Sequence, residues 1–200
     1  MAVPFVGLTG GMAAGKSTAL AALARLGART LSTDAVVHGL YEGAEVRDLV
    51  VARWGDEVAP GGVVDRGAVA KHAFGDPEER RWLESELWPR VGAAVIAFRQ
   101  EADAADPAPP AAVVETPLLF EAGMEAGYDA TIAIVASDAL RTARAGERGH
   151  HGLDERNARQ LSQDEKAERA TYAIVNDGSV EQLEERLRDV LDDLARPTAS

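Results

Sequence analysis

The segment Gly10-Gly11-Met12-Ala13-Ala14-Gly15-Lys16-Ser17 fits the pattern G-x-x-x-x-G-K-[ST], and it constrains the local architecture more tightly than any other stretch of the chain. Such a loop functions only between a strand and a helix. Apolar Phe5, Val6 and Leu8 precede it, and Leu20, Leu23 and Leu26 follow at helical spacing. Glycines let successive backbone N–H groups converge on an anion, and the positive end of the new helix points at the same place. Lys16 is expected to reach the β- and γ-phosphates of a nucleotide as a point charge, and the Ser17 hydroxyl to ligate Mg²⁺. The candidate nucleotide contacts are therefore Gly11, Met12, Ala13, Ala14, Gly15, Lys16, Ser17 and Thr18. The chain carries only three lysines, Lys16, Lys71 and Lys166, among its 21 basic residues, so a lysine is an unusual choice anywhere in it. A Gly-rich turn capping an ordinary helix would not need one. The chain is expected to bind a nucleoside triphosphate.

A net charge of −12 argues against nucleic acid as a partner, since most of the surface would repel a polyphosphate backbone. Without cysteine there is no disulfide framework, thiolate metal site or cysteine nucleophile. No apolar run approaches ~18 residues and no charged, apolar leader opens the chain, which reads as a soluble cytoplasmic protein with no membrane partner. Small-molecule substrates and a monomer or weak homo-oligomer are expected. Positive charge gathers locally, with five arginines against three acids from Arg141 to Arg159. Arg141, Arg144 and Arg148 fall on one helical stripe and could converge on one triphosphate, whereas a solvated helix face is the plainer reading.

Strand-like and helical segments alternate, the pattern of an α/β protein whose five-stranded parallel sheet has helices on both faces. After the first strand, the expected strands are 28–33, 111–115, 130–135 and 172–175. Ser179 and Gln182 form a capping box for a last helix that Pro197 ends. Residues of about 36–106 form a helical insert larger than a crossover needs, the expected place for a second substrate. Within it, Asp76-Pro77 starts a helix that Pro89 interrupts, with Val91, Val95 and Phe98 resuming the period. His150 and His151 sit in a Gly-flanked turn and read as surface loop. Asp34, at the end of a strand, reads equally as a helix N-cap or as the group that orients an attacking hydroxyl and accepts its proton. Arg66 opens a helix as an acceptor phosphate or ribose contact, or as a surface arginine.

Several ordered motifs over almost the whole chain resemble those of the dephospho-coenzyme A kinase family. Residues 7–18 are close to that family's G-L-T-G-G-I-G-S-G-K-S-T, and Asp34–His38 is similar to its A-D-x-x-x-H segment. Val64-Asp65-Arg66 resembles L-D-R, and Pro117–Glu121 matches P-L-L-F-E. Arg144 and Arg148 match the arginines of Q-x-x-R-x-x-x-R, and Asn176–Ser179 is similar to N-x-G-[ST]. The resemblance implies a P-loop kinase with a helical acceptor insert and an arginine-rich lid at about 137–169. It implies transfer of the ATP γ-phosphoryl group, with Mg²⁺, to the ribose 3′-hydroxyl of dephospho-CoA, the last step of coenzyme A synthesis. By the same resemblance Asp34 and Lys16 are catalytic, and Arg144, Arg148 and Asn176 join the loop at ATP. Asp34, His38, Arg66, Pro117, Leu118, Leu119 and Glu121 serve the acceptor, and Ser17 the metal. The chain departs from the family pattern at Trp88 (for His), Glu115 (for Asp) and Arg141 (for Gln), and its lid R-x-x-x-Q fits Arg156…Gln160, which is preferred, or Arg159…Gln163. A P-loop kinase acting on a nucleoside or small alcohol, and a regulatory nucleotide switch or dead homologue that binds ATP without turnover, are the other readings.

Overall fold

The computed structural model describes residues 2–147 and 160–196. Five strands, β1 (Phe5–Gly10), β2 (Arg29–Ser32), β3 (Ala112–Glu115), β4 (Ala130–Val135) and β5 (Tyr172–Val175), form an all-parallel sheet in the order β2-β3-β1-β4-β5. In β1, Val6 pairs in register with Val113 on one side and with Ala130 on the other. All six β1 residues are buried, as expected of a central parallel strand covered on both faces.

Alternation along β1 assigns its two faces. Val6 and Leu8 enter a core with Ala19, Ala22 and Leu23 of α1 (Lys16–Arg25) and with Leu183, Leu187 and Leu191 of the C-terminal helix α8 (Val180–Leu194). Phe5 faces the other way, stacking on Tyr128 at 4.9 Å beneath the Arg99 guanidinium at 4.7 Å. The α8 start carries the expected capping box, with Ser179 and Gln182 each bonded to the other's backbone.

The chain divides into two compact units, the sheet unit of residues up to Ser32 and from Phe98 onward, and a second of Thr33–Ala97. Regular structure in the second unit is helical: α2 (Thr33–Glu42), α3 (Ala44–Trp54), α4 (Arg66–Gly75) and the greater part of α5 (Pro77–Asp103). Val46, Val50, Val58, Val69 and Leu87 make its core. Trp54 stacks on His72, meets Trp82 edge-on and donates from its indole N–H to Glu79 at 2.7 Å.

Two expectations need correcting. Strand β2 stops at Ser32, because Thr33 already opens α2. Helix α5 runs unbroken through Pro89, which should interrupt it. A proline inside a helix removes one N–H donor and crowds the preceding turn, at a cost of about 3 kcal/mol. Here the Arg90 guanidinium donates to the Glu86 carbonyl one turn back, while its Nε holds Glu45 of α3 at 3.1 Å. That side chain ties the proline's turn to its neighbour, while the carbonyl that loses its donor to Pro89 is that of Ser85.

Candidate active site

The phosphate loop leaves β1 at Gly10 and enters α1 at Lys16. A side chain at Gly10 would meet the Ile134 carbonyl at 2.3 Å, and one at Gly15, where φ is 100°, would meet the Asn176 amide at 2.1 Å. These contacts, together with the left-handed backbone at Gly15, exclude larger residues. The Lys16 ammonium lies across its own loop, donating to the carbonyls of Gly10 at 3.1 Å and Gly11 at 3.0 Å. Ser17 is exposed in the first turn of α1.

Asn176, which follows β5, braces the loop from behind. Its buried amide donates to the Ala14 carbonyl at 2.8 Å, and its own carbonyl accepts from Arg144 Nη2 at 3.2 Å. Arg144 lies on α6 (Asp138–Glu147), and its Nη1 is buried with no hydrogen-bond partner among the described residues. Lysine, loop amides and this guanidinium thus share one end of the sheet. Arg148, Arg156, Arg159, His150 and His151 lie outside the described residues, so neither lid register has its arginine described. Gln163, which opens α7 (Gln163–Arg169), exchanges two hydrogen bonds with the backbone of Ala136 and packs against Gly11.

Pro117–Glu121 follows β3 in the same unit. Leu118 is exposed, whereas Leu119 is fully buried over Gly7 and its side chain packs the sheet. The Glu121 carboxylate accepts from the Leu161 N–H at 2.8 Å and pairs with Lys166 at 3.0 Å; Lys166, fully buried, also donates to the Pro117 carbonyl at 2.8 Å. Sequence reasoning missed Lys166 as a site-shaping residue. Its signal was the scarcity of lysine that singled out Lys16. Removing one partner of a buried pair strands the other charge, so Lys166→Ala should cost about 3–5 kcal/mol of stability in urea denaturation. Lys166→Met with Glu121→Leu, which refills the volume and leaves no charge buried, should cost less than Lys166→Ala alone.

In the helical unit, Asp34 is the second residue of α2 and its exposed carboxylate carries none of the capping hydrogen bonds seen at Asp65 and Asp76. Arg66 opens α4 behind the cap Asp65, and its Nη1 meets His38 Nδ1 at 3.1 Å. Since arginine only donates, His38 accepts through Nδ1. Burial pushes the Tyr41 phenol up, with the Arg66 charge pulling against it.

The profile of the family described as "Dephospho-CoA kinase" matches residues 4–182. The chain belongs to this family. A dephospho-CoA kinase of Anaeromyxobacter dehalogenans is 38% identical over 195 residues, covering 94% of this chain and 91% of that protein. One of Deinococcus radiodurans is 39% identical over 186 residues, covering 91% and 88%. Among solved structures, TT1252 from Thermus thermophilus superposes with a TM-score of 0.79 at 32% identity, covering 98% of this chain and 100% of that one. The α/β sheet is accordingly that of a P-loop kinase. The protein is an enzyme that phosphorylates dephospho-CoA to coenzyme A, the last step of coenzyme A synthesis. Among the described residues no helix is long and apolar enough to cross a membrane.

Proposed function

We propose that ATP is the phosphoryl donor, held by Gly11–Thr18, and that the acceptor is the ribose 3′-hydroxyl of dephospho-CoA. The observation that carries this reading is the buried Nη1 of Arg144, without a hydrogen-bond partner among the described residues, beside a loop already spanned by Lys16. Such cations suit the charge of a polyphosphate and its redistribution during transfer. In the reaction the acceptor oxygen bonds to the γ-phosphorus as the bond to the β,γ-bridging oxygen breaks, and ADP leaves. Asp34 orients the hydroxyl and takes its proton. Lys16, Arg144 and Arg148 meet the phosphates, while Asn176 keeps the loop in shape. His38 and Arg66 of the helical unit serve the acceptor, as do Pro117, Leu118 and Glu121 of the sheet unit, where Leu119 contributes by packing the segment onto the sheet rather than by contact. His38 holds Arg66, and Lys166 acts through Glu121 and the Pro117 carbonyl.

The oxygen donors present suit Mg²⁺, namely the exposed Ser17 hydroxyl at the start of α1 and the Glu115 carboxylate at the end of β3. Ser17 would hold the ion, with Glu115 toward its water shell, and the ion when bound would offset charge on the β- and γ-phosphates. The reading takes the enzyme to be cytoplasmic, a monomer or weak homo-oligomer, with no nucleic acid or membrane as partner.

An assay of ADP release with ATP and Mg²⁺ tests it. Release should depend on dephospho-CoA, and the product should carry its new phosphate at the ribose 3′ position. ADP formed equally fast without acceptor, or only with another alcohol, would overturn the proposal. Arg144→Ala should lower kcat by roughly 10²-fold, the usual scale for a donor aimed at transition-state charge, with a smaller loss of ATP affinity.

A further inference from the structure

Ala13 is the one non-glycine with a positive φ among the described residues, at 59°, and it lies in the middle of the phosphate loop. A β-carbon in that left-handed region crowds the following carbonyl, so alanine holds the conformation less readily than glycine. In the family motif quoted above, glycine stands at this position. The peptide unit joining Met12 to Ala13 meets a second unusual residue. Arg141 of α6, where the family motif has glutamine, donates from Nε to the Met12 carbonyl at 2.9 Å, and its Nη1 is anchored by Asp138 at 3.0 Å.

A trans peptide points its N–H opposite to its C=O. Holding the Met12 carbonyl on Arg141 therefore turns the Ala13 N–H to the other side, and the hydrogen bond fixes the plane from which the φ of Ala13 is measured. One turn further along α6, Arg144 reaches the Asn176 carbonyl, and Asn176 holds the carbonyl of Ala14. Helix α6 thus grips the peptide before Ala13 directly and the residue after it through an intermediary.

We infer that Arg141 is a positioning residue of the phosphate loop, and that its bond to Met12 offsets the strain of an alanine at position 13. The two departures from the family pattern are one coupled change. Arg141 acts through the loop, by its Nε–H, and its charge is secondary. The inference rests on the reading of the loop as the ATP site.

A double-mutant cycle tests it, with ATP affinity measured by calorimetry on the full chain in the absence of acceptor. Arg141→Met keeps the side chain as far as the Nε position and removes the donor, together with the Asp138 anchor. It should weaken ATP binding about tenfold with Ala13 in place and only about twofold in the Ala13→Gly background, a coupling of the size found between contacting residues. Arg141→Gln carries an amide nitrogen at the same depth as Nε and should recover most of the loss. Thermal unfolding of each variant separates a lost fold from a lost tether. Equal losses from Arg141→Met in both backgrounds would overturn the coupling. Glutamine failing as badly as methionine would overturn the tether and leave a direct charge contact with nucleotide. Since the readout needs no acceptor, these failures are distinct from failure to phosphorylate dephospho-CoA. Absence of ATP binding in the parent chain would instead remove the nucleotide reading itself.

Discussion

Lys16→Ala should lower turnover by at least ~10³-fold, and Lys16→Arg should fail nearly as badly. The ammonium sits on two adjacent loop carbonyls, Gly10 and Gly11, at 3.1 and 3.0 Å. A compact tetrahedral donor satisfies both from one atom. A guanidinium spreads its donors across a rigid plane and needs more room, and the loop is already filled from behind by Asn176 against Gly15 and by Gln163 against Gly11. Arginine therefore keeps the charge while displacing the loop or swinging out of it. Lys16 is not in the core, so both variants should melt close to the parent, and the loss should fall on kcat and on ATP affinity together. Near-normal turnover by Lys16→Arg, in a chain that otherwise prefers arginine, would contradict the point-charge role of the residue.

The sheet was readable where burial makes its own pattern. β4 lies where its Ala- and Ile-rich run places it, since a parallel strand buried on both faces cannot hide its composition. β5, an edge strand with only Ile174 buried, was marked by the Asn176-Asp177-Gly178 turn that closes it. Errors fell at boundaries and at a helix breaker, where long-range contacts decide. The turn that holds Pro89 is tied through Arg90 to Glu45, 45 positions away. The loop, Arg144 and Asn176 are adjacent in space because β1, β4 and β5 are neighbours in a parallel sheet, so motifs 162 positions apart meet at Ala14 and Asn176. Residue types named the loop and the arginines; only topology joins them. Lys166 escaped because its partners, Glu121 and the Pro117 carbonyl, are brought to it only by the fold. Gln163, offered only within one lid register, bonds to the backbone of Ala136, which has no side-chain signature. The pair of His38 and Arg66 joined two residues already suspected separately, since spacing along α2 and α4 says nothing of their meeting.

Asp34→Asn should reduce kcat by ~10²-fold or more while ATP affinity and melting temperature stay near the parent's. Asparagine keeps the size and a hydrogen-bonding oxygen but is far too weak a base to take a proton from the acceptor hydroxyl. The competing explanation is structural, since an aspartate at a helix start commonly caps it. The geometry separates the two. Asp65 accepts from the Gly67 and Ala68 N–H groups at 2.8 and 3.2 Å, and Asp76 accepts from Glu78 at 2.7 Å. Asp34, inside the first turn of α2, has no such bond. What remains for stability is its charge at the positive end of the helix, worth at most about 1 kcal/mol when exposed. Asp65→Ala should therefore lose a cap's worth of stability, about 1 kcal/mol, where Asp34→Asn loses little. Should Asp34→Asn instead unfold early and turn over at the parent's rate, the carboxylate is a helix-end charge, and the proton must leave the acceptor by another route.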